Sequence, residues 1–153
     1  MSNITFNVAK GRVVELYNRV KSNDPTNAAI ILVPIETSGL EADATLIDAD
    51  TLAALLSGAT NEQTTMGRKT LTDADLAALP APDDSNDRYD ISLPTTTWTA
   101  ASGNAISKIA VCYDPDTTGG TDANIIPLTM FDFAQTPSGA DIQMTTGVFF
   151  RAS

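Results

Sequence analysis

Histidine is missing altogether from the 153 residues, and cysteine occurs once, at Cys112. The first absence removes Ser-His-Asp and Cys-His nucleophile systems together with every histidine metal site. The second removes an intramolecular disulfide. Cys112 sits between Val111 and Tyr113 in an apolar run, with no cationic residue nearer in sequence than Lys108, and is read as a small buried hydrophobe rather than a reactive thiol. Basic residues are also scarce. Nine Lys and Arg stand against 19 Asp and Glu, a net charge of −10 at pH 7, which would be repelled by a phosphate backbone and argues against nucleic acid as a partner. No apolar run approaches the roughly 18 residues that a membrane helix needs. The longest, "AAIILVPI" at 28–35, contains Pro34 and suits a buried strand. The segments "SGAT" and "TTGG" lack the spacing that aims backbone amides at phosphate. The opening residues "MSNITFNVAKGRVV" show no basic stretch followed by a long apolar one, so no secretory signal is read and synthesis in a cytosol is expected.

What is present is enough for one domain, taken as 1–153. For 16.1 kDa, area scaling gives about 7,400 Å² exposed of about 23,000 Å² in the unfolded chain, so folding needs no metal or disulfide. After a short alternating stretch at Ile4, Phe6 and Val8, the residues Val13, Leu16, Tyr17 and Val20 recur at helical spacing. That helix should end near Asn23, because Pro25 disfavours helical geometry at Asp24. Ile30, Ile31 and Val33 read as a central strand buried on both faces, with Pro34 marking its end or an irregularity. "DADTLAALLSG" at 48–58 and "DADLAALPAPD" at 73–83 echo one another as short helices with aspartates at or near the cap. Leu52, Leu55, Leu56, Leu76 and Leu79 supply their buried faces. Residues 81–90 read as an exposed acidic loop.

From Ile91 onward, short β-rich runs alternate with Gly, Pro, Ser and Asp: "YDISLP", "TTTWTA", "ISKIAVCYD", "NIIPLTMFDFA", "ADIQMTT" and "GVFFRAS". In "ISKIAVCYD", Ser107, Ile109, Val111 and Tyr113 form the better core face and Lys108 is placed toward solvent. The chain therefore divides into a mixed helix and strand part, 1–90, and a β-rich part, 91–153. The fold class expected is α+β, with short N-terminal helices packed on a small antiparallel sandwich or barrel.

Two acidic groups invite a chemical reading. "DPDTTGGTDANI" puts Asp114, Asp116, Thr118, Gly119 and Asp122 at positions 1, 3, 5, 6 and 9 of a calcium-loop frame. Position 12 is Ile125 where a bidentate Glu is needed, and strand-like runs flank it, so a hairpin tip is the competing and preferred account. Asp114, Asp116 and Asp122 remain the metal candidates of a calcium-dependent binding module. Asp83, Asp84, Asp87 and Asp90 are taken as a solvated loop rather than an acid/base pair. A Ser-Lys or carboxylate enzyme is allowed by composition, but no residue pattern points to one. Trp98, Tyr113, Phe131 and Phe133 are expected in the core. Phe149 and Phe150, beside the final residues, either close the sheet of their own subunit or lodge in a neighbour.

The stretch "WTAASGNAISKIAVCYDPDTTGGTDANIIPLTMFDF", with "GRVVELYNRVKSNDP", "LTDADLAALPAPDDSNDRYDISLP" and the terminal "GVFFRAS", resembles small virion structural proteins encoded among the head and neck genes of tailed bacteriophages. The likeness spans nearly the whole chain in order. It implies a non-enzymatic particle component without cofactor: a capsid decoration or cement protein on the major capsid protein lattice, or alternatively a neck, tail or fibre component. It also implies residence on the capsid surface of the virion and a homo-oligomer such as a trimer, while the charge and the short apolar runs already speak against a nucleic-acid or membrane partner. "MSNITFNVA" is the preferred docking arm, and "FFRAS" the second.

Overall fold

The alternating apolar runs become strands, and the order in which they pair decides where every candidate residue lies. A computed structural model describes residues 3–153. In chain order the elements are β1 (Ile4–Thr5), a 3-10 turn (Asn7–Ala9), α1 (Val13–Lys21), β2 (Ala29–Glu36), α2 (Asp43–Leu46), α3 (Leu52–Leu55), β3 (Lys69–Leu71), α4 (Asp73–Leu76), β4 (Tyr89–Leu93), β5 (Thr96–Trp98), β6 (Ile106–Asp114), β7 (Ile126–Gln135), β8 (Ile142–Met144) and β9 (Gly147–Ala152). The main sheet has the order β1-β7-β6-β2-β3, and two ribbons, β4-β9 and β5-β8, stand apart from it. All pairings are antiparallel. The class is α+β with a β-rich sandwich, and the main sheet is not closed into a barrel. Three of its five strands, β1, β2 and β3, come from the first half of the chain, so the sheet is built jointly by the two parts that the sequence grammar separates.

Side-chain alternation identifies the layers. Ile109 of β6 lies opposite Phe131 of β7, and Phe133 shares that face. Phe131 lines a cleft with Leu93 and Phe149 of the β4-β9 ribbon, while Phe133 meets Trp98 of β5 at a ring separation of 6.4 Å. Both ribbons therefore form the second layer of the sandwich over this face. α1 joins the same side through Tyr17, whose ring is 6.0 Å from that of Phe149 and whose hydroxyl donates to Ser92 O at 3.0 Å. Burial pushes the Tyr17 phenol well above its usual range, with Tyr89 adding to the effect.

The apolar stripe of α1 is as the spacing predicts: Val13, Leu16, Tyr17 and Val20 are all buried. Asn23 adopts φ 52, which ends the helical path before Pro25. β2 is buried from Ala29 through Ile35, and Pro34 stands inside the strand rather than at its end. Its carbonyl accepts from Gln63 N at 2.9 Å. In an antiparallel strand the nitrogen and carbonyl of one residue face the same side, so the missing N–H is on the 61–63 side and Pro34 keeps its place opposite Ile109, with the register to β6 shifting just beyond it, between Ile35 and Glu36.

α3 and α4 occur where the echo places them; α4 carries Asp73 and Asp75 in its first turn as expected, whereas α3 has no acidic residue there. Thr51, not an aspartate, accepts from Ala54 N at 3.1 Å, and Thr72 N donates to the Asp75 carboxylate at 2.8 Å, the reciprocal arm of a capping box. Gln63 fixes the crossing between halves. Although only 1% exposed, its amide donates to Ser102 O and Asn104 O and accepts from Thr65 N and Met66 N. Gly103, at φ +103, passes so close that a Cβ there would lie 2.2 Å from Gln63 Nε2, so this position is closed to other residues.

Candidate functional site

The three aspartates of the β6–β7 connection are each drawn into separate local work. Asp114 Oδ1 accepts from Asp116 N at 3.0 Å. Asp116 Oδ1 accepts from Thr118 N at 3.0 Å and Thr118 Oγ1 at 2.6 Å, bonds that hold its carboxyl below the usual range. Asp122 turns the other way, receiving both terminal nitrogens of Arg68 at 2.7 and 2.9 Å. Arg68 in turn donates to Glu62 at 2.7 Å from Nε and Nη2. The calcium frame is thus not assembled: Asp122 is bound to a cation already, and among the described residues no three His, Cys, Asp or Glu side chains converge. Titration of the protein with calcium in a calorimeter should give only the heat of dilution. A saturable signal lost in Asp116→Asn would restore the binding-module reading.

The loop at 81–90 is likewise built from turns. Asp83 accepts from Ser85 N, Asn86 N and Asn86 Nδ2, and its N–H reaches Arg88 O at 2.8 Å. Asp90 on β4 stands directly opposite Arg151 on β9. The two side chains are joined through Arg151 Nε and through Nη2 at 3.1 Å, with Arg88 3.2 Å away. This arginine pairing pins the last strand in register, so the Asp90 carboxylate is lowered by Arg151 first and Arg88 after it.

No known protein family, curated protein or solved structure matches this chain. The candidate site is therefore defined by geometry alone.

Two places stand out. The first is a cleft of about 140 Å³ where the β4-β9 ribbon meets β7, lined chiefly by Leu93, Phe131, Met144, Gly147, Val148 and Phe149. Val148 is 50% exposed, the large apolar side chain most open to water among the described residues, and among them β9 is paired on one side only, by β4. An apolar cleft next to an open strand edge can accept an extended segment that adds main-chain hydrogen bonds and inserts an apolar side chain. Phe149 and Phe150 are packed, partly buried, against their own core, the first of the two placements the sequence left open. The second docking arm, "FFRAS", is accordingly a paired strand through Ala152. The preferred arm fares similarly. Met1 and Ser2 lie outside the described residues, but Ile4 and Thr5 pair with β7, Phe6 is fully buried and its N–H donates to Leu128 O at 3.0 Å.

The second place corrects a sequence expectation. Lys108 does not point to solvent: it is 7% exposed, and its Nζ lies 2.6 Å from Asp132 Oδ1 and 3.3 Å from Asp43 Oδ1. Asp132 faces it from β7, one strand across, and Asp43 opens α2. Strict alternation fails because both faces of this strand are buried, with Asp43 of α2 reaching Lys108 on the face opposite the ribbons. Cys112 shares the Lys108 face and is fully buried. Burial pushes its thiol well up, out of the reactive range. Composition alone could not flag the Lys108 cluster, since its members come from three elements far apart in sequence.

Proposed function

We propose that this chain is a non-enzymatic virion structural protein, a decoration or cement subunit on the major capsid protein lattice of a tailed-phage head. The observation that carries the reading is the resemblance along nearly the whole chain, in segment order, to small head and neck proteins of such phages. The physical character of the surface supports it. The acidic side chains of the two loops serve turns and ion pairs, and the apolar cleft with the open edge of β9 suits a partner's extended segment. Such a protein recognises its lattice by shape and main-chain pairing, and repetition of the lattice favours a homo-oligomer such as a trimer. A neck, tail or fibre position is the alternative within the same class. Purified protein added to undecorated heads should bind at a fixed stoichiometry and raise their resistance to heat, with Val148→Asp weakening both. Heads that take up none of it remove the decoration reading, and uptake by isolated tails instead moves the subunit to the alternative position.

A further inference from the structure

The Lys108 cluster carries an inference that does not rest on the viral reading. We infer that Lys108 and Asp132 form an intramolecular isopeptide bond, with Asp43 as the proton relay. The juxtaposition is of an amine and a carboxyl on adjacent strands, Nζ 2.6 Å from Oδ1, with a second carboxylate 3.3 Å from the same nitrogen.

Three features of the surroundings favour condensation over a simple ion pair. Lys108 is flanked along β6 by Ile106 and Ala110 and across the sheet by Ile35, each essentially inaccessible to water. The 2.6 Å contact is also the path by which the ammonium proton can pass to Asp132, giving the neutral amine and carboxylic acid that the attack requires. The reactants are held by the β6–β7 ladder, which converts an encounter between two groups into a step within one rigid sheet. The Asp43 and Asp132 side chains keep 26% and 27% of their surface open, which leaves a path for the water that must depart.

The step balances without any outside reactant. The lone pair of the neutral Lys108 Nζ attacks Asp132 Cγ, forming the C–N bond. Asp43 takes a proton from the attacking nitrogen and delivers it to the departing hydroxyl. The C–O bond breaks, water leaves, an amide joins the strands, and Asp43 is again a carboxylate. Nothing is oxidised or reduced, and the net charge of the cluster is the same before and after.

The intact mass of the purified, then denatured, full chain tests this. The expected value is lower than the sequence mass by one water, and digestion should yield a branched peptide joining the Lys108 and Asp132 segments. Lys108→Arg should restore the full mass. Asp43→Ala should leave the chain folded by circular dichroism but unlinked, and Asp43→Asn, which keeps the shape of the side chain and removes its basicity, serves if the alanine variant does not fold. A folded wild-type chain that keeps its full mass after prolonged incubation overturns the proposal, as does a water loss that survives in Lys108→Arg. Linkage that persists in Asp43→Asn overturns the relay assigned to Asp43.

Discussion

Replacing Trp98 with alanine is expected to lower the free energy of unfolding by about 4–6 kcal/mol, leaving a chain at the edge of stability. Trp98 is the chain's single tryptophan, 1% exposed, and it bridges the two layers of the sandwich. Its ring meets Phe133 of β7, Lys69 Nζ lies 6.0 Å over it, and its Nε1 donates to Gly67 O at 2.9 Å. Truncating a buried aromatic to alanine costs about 3–5 kcal/mol through lost transfer energy and the cavity left behind. An acceptor deprived of its donor adds about 1 kcal/mol or more. Because the variant lacks the fluorophore, urea unfolding should be followed by far-ultraviolet circular dichroism, with the midpoint falling by roughly 2–3 M. Trp98→Phe separates the two contributions: it keeps most of the packing, loses the hydrogen bond, and should cost only about 1–2 kcal/mol. Equal stability of wild type and Trp98→Ala would mean that β5 does not hold the layers together.

Local periodicity was legible wherever one face of an element is buried and the other is wet. Val13, Leu16, Tyr17 and Val20 announce α1 by spacing, and every β-rich run after Ile91 contains a strand. The reading failed where burial has no period. β6 is buried on both faces, so alternation placed Lys108 outside when it is in fact covered and paired with Asp132 and Asp43. α2 is only four residues long, too short to leave a hydrophobic pattern. The echoing helices show a subtler split: Asp73 and Asp75 do occupy the first turn of α4, with Asp75 completing a capping box on Thr72, whereas in α3 Thr51 supplies the cap in place of an aspartate. At the β6–β7 loop, composition identified the turn-forming acids, and Asp114 and Asp116 do form turns. It could not tell that Asp122 belongs instead to Arg68, because that partner arrives from the far side of the sheet. The apolar cleft was invisible for the same reason: Phe131, Met144 and Phe149 come together only through sheet topology, although the open question over Phe149 and Phe150 pointed to the right end of the chain.

That distant partnership yields the second large effect. Arg68→Met should destabilise the protein by about 2 kcal/mol at neutral pH, between the values for exposed and fully buried ion pairs. The intermediate figure follows from exposure. Glu62 keeps 13% of its side-chain surface open and Arg68 29%, while Asp122 at 38% is screened enough by water to return part of its loss. The arginine side chain grips both carboxylates, donating to Asp122 first and Glu62 second, which holds its own proton more firmly. The same hydrogen bond keeps the Asp122 carboxyl below the usual range, against the opposing pull of burial. The sign of the pH dependence follows. A carboxyl whose folded pKa lies below its unfolded value contributes stability that is fully present above the unfolded value, near 4, and is lost as pH falls through the folded one. Wild type and Arg68→Met should therefore differ by about 4–8 °C in melting temperature at pH 7 and draw together as the solution is acidified below about pH 4. Arg68→Lys, which keeps the charge but cannot fork to two carboxylates, should recover only part of the difference. A gap between wild type and Arg68→Met that stays constant down to the acid transition would assign the effect to packing of the arginine stem, and the ion pair would then contribute nothing to joining the β6–β7 loop to the β3 edge of the sheet.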